Sequence, residues 1–342
     1  MKPQLLISLL SLLYSFTVFS NPKTTQELEA SIRAKGYNGV VLVMKGNKVL
    51  LNKAYGFSDL VLKTPLQVTD RFQIGSLTKQ MVAAALLKLE DEGRISLDDF
   101  ASKYLPQYSQ LNNVTILQLL NHTAGIYNYS ANKTFMDSRS PNKFFSLDEI
   151  INFCLKRPLD FRPGTKWSYS NGGYIIAGKI IELASGMSWD KYLESRFFIP
   201  LKMAQTLHYN DYDQLGAVNG YQHTSNALKR VRGLNLSWAL SAGSISSTVN
   251  DLAKWTDIFS SSNILSRRSK SKMQKVYKEQ YGLGIFITSY GQDTLINHRG
   301  ITRGFKSSLF YLKNKKLKII TLDNIDGSVE GIPEMLLQFY GR

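Results

Sequence analysis

Two kinds of apolar periodicity are unevenly distributed along the chain, and this most constrains its fold. Strand-like runs lie near both ends, and helix-like runs fill the middle. Near the start, "GVVLVMKGNKVLLNKAYGFSD" offers two apolar runs separated by "KGNK", the pattern of an antiparallel hairpin. Near the end, "YGLGIFITSYG", "DTLINHRG", "KSSLFYLK" and "KLKIITLDN" are short runs rich in branched and aromatic residues. The basic "KNKKLK" falls where a turn between two of them belongs. Helical patterns bracket both groups, "TTQELEASIRAKG" before the first and "GIPEMLLQFYG" after the second. A chain that begins and ends with sheet and places its helices between them is expected to be α+β. An antiparallel sheet flanked by helices would face a mainly helical subdomain across a cleft.

The helical middle, roughly residues 95–270, carries its own start signals. Thr115 with Gln118 and Ser146 with Glu149 have the spacing of capping boxes, and Thr248 with Asp251 marks a further start. "YIIAGKIIELASG" reads as another helix. Between the first two capped helices, "IYNYSANKTFMDSRSPNKFF" mixes polar and aromatic residues and is expected to be a loop at a cleft rim. The 342 residues suffice for a sizeable core.

The first twenty residues differ from the rest. Lys2, the run "LLISLLSLLYSFTVF" and the small residues Val18 and Ser20 fit a secretory signal peptide over residues 1–20, leaving 21–342 as a single domain. The apolar run is short for a membrane span. The single cysteine, Cys154, excludes an internal disulfide and reads as a small core residue. Export without disulfides fits a bacterial periplasm. A net charge of +16 would suit nucleic acid or acidic envelope surfaces. No zinc finger, RNA-recognition signature or phosphate loop accompanies it, so a basic face in peripheral contact with the envelope is the reading that fits export.

The stretch "FQIGSLTKQMVAAALLKLEDEG" places Ser76 and Lys79 at the start of an apolar helix that stops near Gly93. Residues three apart share a helix face. A serine hydroxyl needs a base within hydrogen-bond reach, and a lysine can be that base only when burial or positive neighbours keep it neutral. The serine N–H at a helix start could form half of an oxyanion hole. The same spacing recurs at "SANK", "SPNK", "SWDK" and "SKSK", so spacing alone leaves open a capped helix with a solvated lysine. Likewise, "YSN" at 169–171 could be a turn beside Trp167, and His298 a strand-end histidine. His122 reads as structural, and no motif carries His208 or His223.

Taken together, Ser76–Lys79, Tyr169–Ser170–Asn171 and His298–Arg299–Gly300 resemble the three ordered elements of the serine beta-lactamase and penicillin-binding-protein family. The resemblance is closest to the class C beta-lactamase, DD-carboxypeptidase and esterase-like branch. The flanking "LLNHTAGI", "IPLKM" and "SAGSISSTVNDLAKW" extend it over nearly the whole mature chain. It implies the beta-lactamase/transpeptidase-like fold and the following roles. Ser76 attacks a carbonyl and forms an acyl-enzyme. Lys79 shares the proton, and Tyr169 shuttles it to the leaving group, with Lys79 as the positive charge that eases its ionisation. Asn171 holds the substrate amide and steadies Lys79. His298 lines the cleft on an edge strand, Gly300 leaves room for substrate, and the Ile301 N–H completes the oxyanion hole.

Arg299 stands where better-known members carry a small or hydroxyl residue. It either contacts a substrate carboxylate or points away along the strand. The family needs no metal or cofactor. The implied substrate is a peptide-like amide or an ester, with peptidoglycan stem peptides fitting export. A beta-lactamase, a small-ester esterase and an inactive wall-binding homologue remain as alternatives.

Overall fold

The computed structural model describes residues 22–140, 142–208, 218–224, 227–231, 235–326 and 329–342. The segment read as a signal peptide lies outside the described residues. The first helix, α1 (Thr25–Ala34), is capped by Thr24, whose side chain accepts from the Glu27 N–H. The expected hairpin follows as β1 (Gly39–Lys45) and β2 (Lys48–Tyr55), turning at Gly46 with φ +57°.

The four C-terminal runs form β3 (Phe286–Tyr290), β4 (Asp293–Thr302), β5 (Phe305–Leu312) and β6 (Leu317–Asp323). Both ends of the chain meet in one six-stranded antiparallel sheet of order β3-β4-β5-β6-β1-β2. The join is the pairing of β1 with β6, Leu42 opposite Ile320. The "KNKK" segment is the turn before β6, as expected.

Period-two alternation gives the sheet two apolar faces. Val41, Val43, Ile319 and Phe310 pack with residues of α1 and of the terminal helix α6 (Ile332–Tyr340). Val40, Leu42, Ile320 and Leu309 pack into the main core with the helical part. At its centre lies α2 (Thr78–Asp91), buried continuously from Thr78 to Leu87. Its three alanines suit a helix enclosed on all sides. It ends at Gly93, with φ +70°. Leu147–Leu155 forms α3, Asn171–Ser185 forms α4 and Val249–Trp255 forms α5. Both expected capping boxes are present, at Thr115/Gln118 and Ser146/Glu149. Cys154 is buried in α3.

The structure departs from the local reading in three places. Phe72–Gln73 is a short strand paired with Ser246–Ser247, so α2 begins later than the apolar pattern implies. Ser76 lies on a single 3₁₀ turn, Gly75–Leu77, ahead of it. The rim segment contains two short helices, Tyr129–Ala131 and Lys133–Asp137, where a plain loop was expected. Buried Tyr129 anchors it, its hydroxyl donating to the Trp238 carbonyl at 2.7 Å.

Candidate active site

The turn carrying Ser76 is held by backbone packing. Ile74 N–H donates to the Ile245 carbonyl at 3.0 Å, and Gly75 has φ +52°. A side chain on Gly75 would lie 2.8 Å from Ile301 N, so the Ser76 turn and the end of β4 abut. The turn at Arg303–Gly304 closes β4 onto β5. Antiparallel alternation from that two-residue turn makes Thr302 and Phe305 the bonded pair and points the Ile301 N–H away from β5. The Ser76 turn lies against that backbone.

One turn further on, Lys79 is wholly buried. Its Nζ is 3.1 Å from Ser76 Oγ, 2.7 Å from Asn171 Oδ1 and 2.7 Å from the Ala242 carbonyl oxygen. The last two partners can only accept. A neutral amine has two N–H groups for them and keeps its lone pair for the Ser76 hydroxyl. No carboxylate is among these partners, and burial holds the ammonium pKa well below its usual range.

Asn171 stands at the first position of α4, capped by Ser170, whose hydroxyl accepts from the Gly173 N–H. Its amide bridges two protein groups: Oδ1 accepts from Lys79, and Nδ2 donates to Ser130 Oγ at 2.8 Å. Asn128 Oδ1 receives the Asn171 backbone N–H at 3.1 Å. Asn171 therefore steadies Lys79 and, together with Ser76, lines the cleft.

Tyr169 is half-buried, and Lys79 Nζ lies 4.9 Å from its ring centroid. Burial pushes its hydroxyl above the ordinary tyrosine range, and a side-chain hydrogen bond with Ser76 opposes this only in part. The resting site thus sets a phenol, whose ionised form burial disfavours, beside an amine whose protonated form burial disfavours. His122 backs the ring at a centroid distance of 4.3 Å, and its Nδ1 accepts the Ser170 N–H at 3.2 Å.

The third motif splits in space. His298 is buried, 6.4 Å from Tyr169 between ring centroids. Its Nδ1 lies 2.7 Å from the Arg299 carbonyl oxygen, and its Nε2 lies 3.2 Å from the Tyr281 hydroxyl. A proton on Nδ1 satisfies the carbonyl and leaves Nε2 to accept from Tyr281. Burial and the nearby Lys79 depress its pKa to about 3. The strand is not at the sheet edge, since β3 covers its first half. That cover stops at the Phe286–Asn297 pair, so residues 298–302 form an edge only locally.

Gly300 is required by the packing of the fold itself. A side chain there would stand 1.9 Å from the Ile74 carbonyl oxygen, so the missing side chain allows β4 to approach the Ser76 turn. Arg299 points the other way. Its guanidinium pairs with Glu334 on α6 and lies 5.5 Å over the Phe310 ring, so it does not serve as the contact for a substrate carboxylate.

Asn128, Ser130, Tyr281 and the Ala242 carbonyl were not anticipated. The polar-aromatic "YNYSAN" signalled a rim but not its hydrogen bonds. A backbone carbonyl carries no side-chain signal. Among the described residues, no group of three His, Cys, Asp or Glu side chains is placed to hold a metal ion.

A family model described as Beta-lactamase matches residues 25–335. Penicillin-binding protein 4* of Bacillus subtilis is 26% identical over 316 residues, covering 86% of this chain and 69% of that protein. Teichoic acid D-alanine hydrolase of Staphylococcus aureus is 24% identical over 311 residues, covering 89% of this chain and 75% of the relative. The crystal structure of a D-stereospecific amidohydrolase from Streptomyces sp. superposes with a TM-score of 0.78 at 26% identity, covering 93% of this chain and 98% of its own. The match runs from the first helix of the sheet layer into the last, and it makes this chain a serine hydrolase of the beta-lactamase family, related to penicillin-binding proteins and D-amino-acid hydrolases.

Proposed function

We propose that the protein is an exported hydrolase that forms an acyl-enzyme on Ser76 and acts on a D-alanyl or related D-amino-acid amide or ester of the bacterial envelope. The observation that carries the reading is the 3.1 Å approach of a wholly buried Lys79 to Ser76 Oγ. The amine takes the hydroxyl proton as Ser76 Oγ bonds to the substrate carbonyl carbon. The carbonyl oxygen becomes an anion facing the N–H groups of Ser76 and Ile301. Tyr169, protonated at rest, gives its proton to the departing nitrogen or oxygen and regains one from Lys79. Water then enters by the reverse route and releases the acid.

The substrate class draws on the names of the relatives, a penicillin-binding protein, a teichoic acid D-alanine hydrolase and a D-stereospecific amidohydrolase. The signal-like first twenty residues support export. The locally free edge of residues 298–302 offers backbone groups to an extended, peptide-like substrate.

Mass spectrometry after incubation with D-alanyl peptides, D-alanyl esters and beta-lactams tests the reading. An adduct on Ser76 that turns over with D-alanyl compounds and persists with beta-lactams is expected. Ser76→Ala should remove all labelling and remain folded. Labelling that survives in that variant would overturn the assignment. Rapid turnover confined to beta-lactams would identify a beta-lactamase instead.

A further inference from the structure

The hairpin turns at one end of the six-stranded sheet carry a concentration of lysine that the site around Ser76 does not use. The turn between β1 and β2 is flanked by Lys45 and Lys48, which pair across it. The turn between β5 and β6 is Lys313-Asn314-Lys315-Lys316, closed by the Leu312–Leu317 pair. The strand order β5-β6-β1-β2 sets these two turns side by side, and the Gly46 N–H donates to the Lys316 carbonyl at 2.8 Å.

Turn geometry does not ask for these residues. Tight turns favour Gly, Asn and Asp. Lys316 nevertheless occupies φ +50°, a region that disfavours a long side chain. Only Asn314 gives the second turn ordinary turn chemistry.

The charges at this end do not cancel. Lys45, Lys48, Lys313 and Lys316 are exposed. Lys315 is half-buried, and its ammonium donates to the Gly341 carbonyl. None of these lysines takes part in an ion pair among the described residues, whereas Lys53, Lys179, Lys272 and Lys318 do. Asp293, at the start of β4, is the carboxylate set against the second turn. It is buried and accepts the backbone N–H groups of Thr294, Asn314 and Lys315 at 2.7, 2.8 and 3.0 Å. One saturated carboxylate beside five ammonium groups leaves this end of the sheet positive.

The lysine-bearing turns lie far from the cleft. Asp293 begins β4, and Thr302, which lines the cleft with Ser76, ends it. A ten-residue strand spans about 30 Å at ~3.3 Å per residue. Neighbouring strands are about 4.8 Å apart, so four of them bring the turns into one row about 15 Å long. Such a row of tips matches a plane of head groups, where a single small anion would find contact on one side only.

We propose that this end of the sheet docks on an anionic lipid bilayer, with Lys45, Lys48, Lys313 and Lys316 set against the lipid phosphates and the Ser76 cleft at the far end of the sheet. The proposal goes beyond the acyl-enzyme reading and shares with it only export.

The test measures partition of the full chain onto vesicles of mixed phosphatidylglycerol and phosphatidylcholine, and onto vesicles of phosphatidylcholine alone. The readout is the ratio of the two partition constants, in which apolar contacts common to both cancel, those of the first twenty residues included. Wild type should favour the anionic vesicles by roughly tenfold or more, and the preference should fall at high salt. Lys313→Glu with Lys316→Glu should abolish it, and Lys313→Arg with Lys316→Arg should keep it. Lys63→Glu with Lys229→Glu makes the same change in net charge at exposed positions beyond the opposite end of the sheet, and should leave most of the preference. Equal loss in the two glutamate pairs would overturn the proposal, since net charge and not this surface would be the cause. Equal partition of wild type onto both kinds of vesicle would overturn it too, as would binding to a soluble polyphosphate with none to anionic vesicles. Fluorophosphonate labelling of Ser76 tests the acyl-enzyme reading separately, so either can fail alone.

Discussion

Lys79 Nζ and Asn171 Oδ1 stand 2.7 Å apart, and this contact ties the start of α2 to the start of α4. Ninety-two positions separate the two residues in sequence. The bond joins the first and second motifs and sets the direction in which the lysine lone pair faces Ser76. Ser130 holds the other end of the same amide, so the geometry depends on the rim segment as well.

Asn171→Ala should leave Lys79 free to turn from Ser76 and lower kcat by ~100-fold, the scale of a misplaced catalytic group. Asn171→Asp should act differently. A carboxylate at 2.7 Å stabilises the ammonium, so the acidic limb of the kcat/KM profile should move to higher pH. Pre-steady-state acylation measured from pH 5 to 10 checks both, and an unmoved limb in the aspartate variant would argue against Lys79 as the base.

Arg299 and Gly300 are adjacent, and their substitutions should have opposite consequences. Arg299→Ala removes a partly exposed pair with Glu334 and should cost about 0.2–1 kcal/mol of stability with acylation of Ser76 little changed. Gly300→Ala forces a methyl against the Ile74 carbonyl at 1.9 Å. Overpacking of this kind costs about 1–3 kcal/mol, and here it displaces the turn bearing Ser76. Denaturant midpoints measured beside fluorophosphonate labelling rates separate the two. Rapid labelling of the Gly300 variant would show that the turn tolerates the displacement.

Acid should destabilise the fold well before its carboxylates titrate. His298 is neutral when folded, with a pKa of about 3, against 6.5 when exposed. The unfolded chain therefore binds the extra proton first, and the stability associated with the neutral ring is fully present above pH 6.5. It is lost progressively as pH falls from there toward 3. His208, depressed to about 4, and His122, also depressed by burial, add in the same direction. Urea unfolding at pH 7.5 and 5.0 should show the loss, and His298→Asn should reduce its slope.

Local pattern was enough to locate most elements. The capping boxes at Thr115 and Ser146, the hairpin turn at Gly46 and the glycine stop at Gly93 depend on residues within a few positions of one another. Local steric and hydrogen-bond rules therefore determine them. The rim helices after Tyr129 were harder to read. Each is less than two turns long and is held by distant contacts such as the Trp238 carbonyl.

By itself, the sequence determined the two sheet-forming ends, the helical middle and the three motifs whose order places this chain among serine hydrolases. Tertiary structure decided what the motif residues do with their atoms. It put the Ala242 carbonyl, 163 positions away, on Lys79 and turned the Asn171 amide to Ser130. It also gave Gly300 to the Ile74 backbone and aimed Arg299 at Glu334. The physical reason is that a side chain's chemistry is local, whereas its burial and partners come from segments far apart in the chain. Alternation along β4 requires His298 and Arg299 to face opposite ways, but only the packed sheet decides which of them meets the cleft.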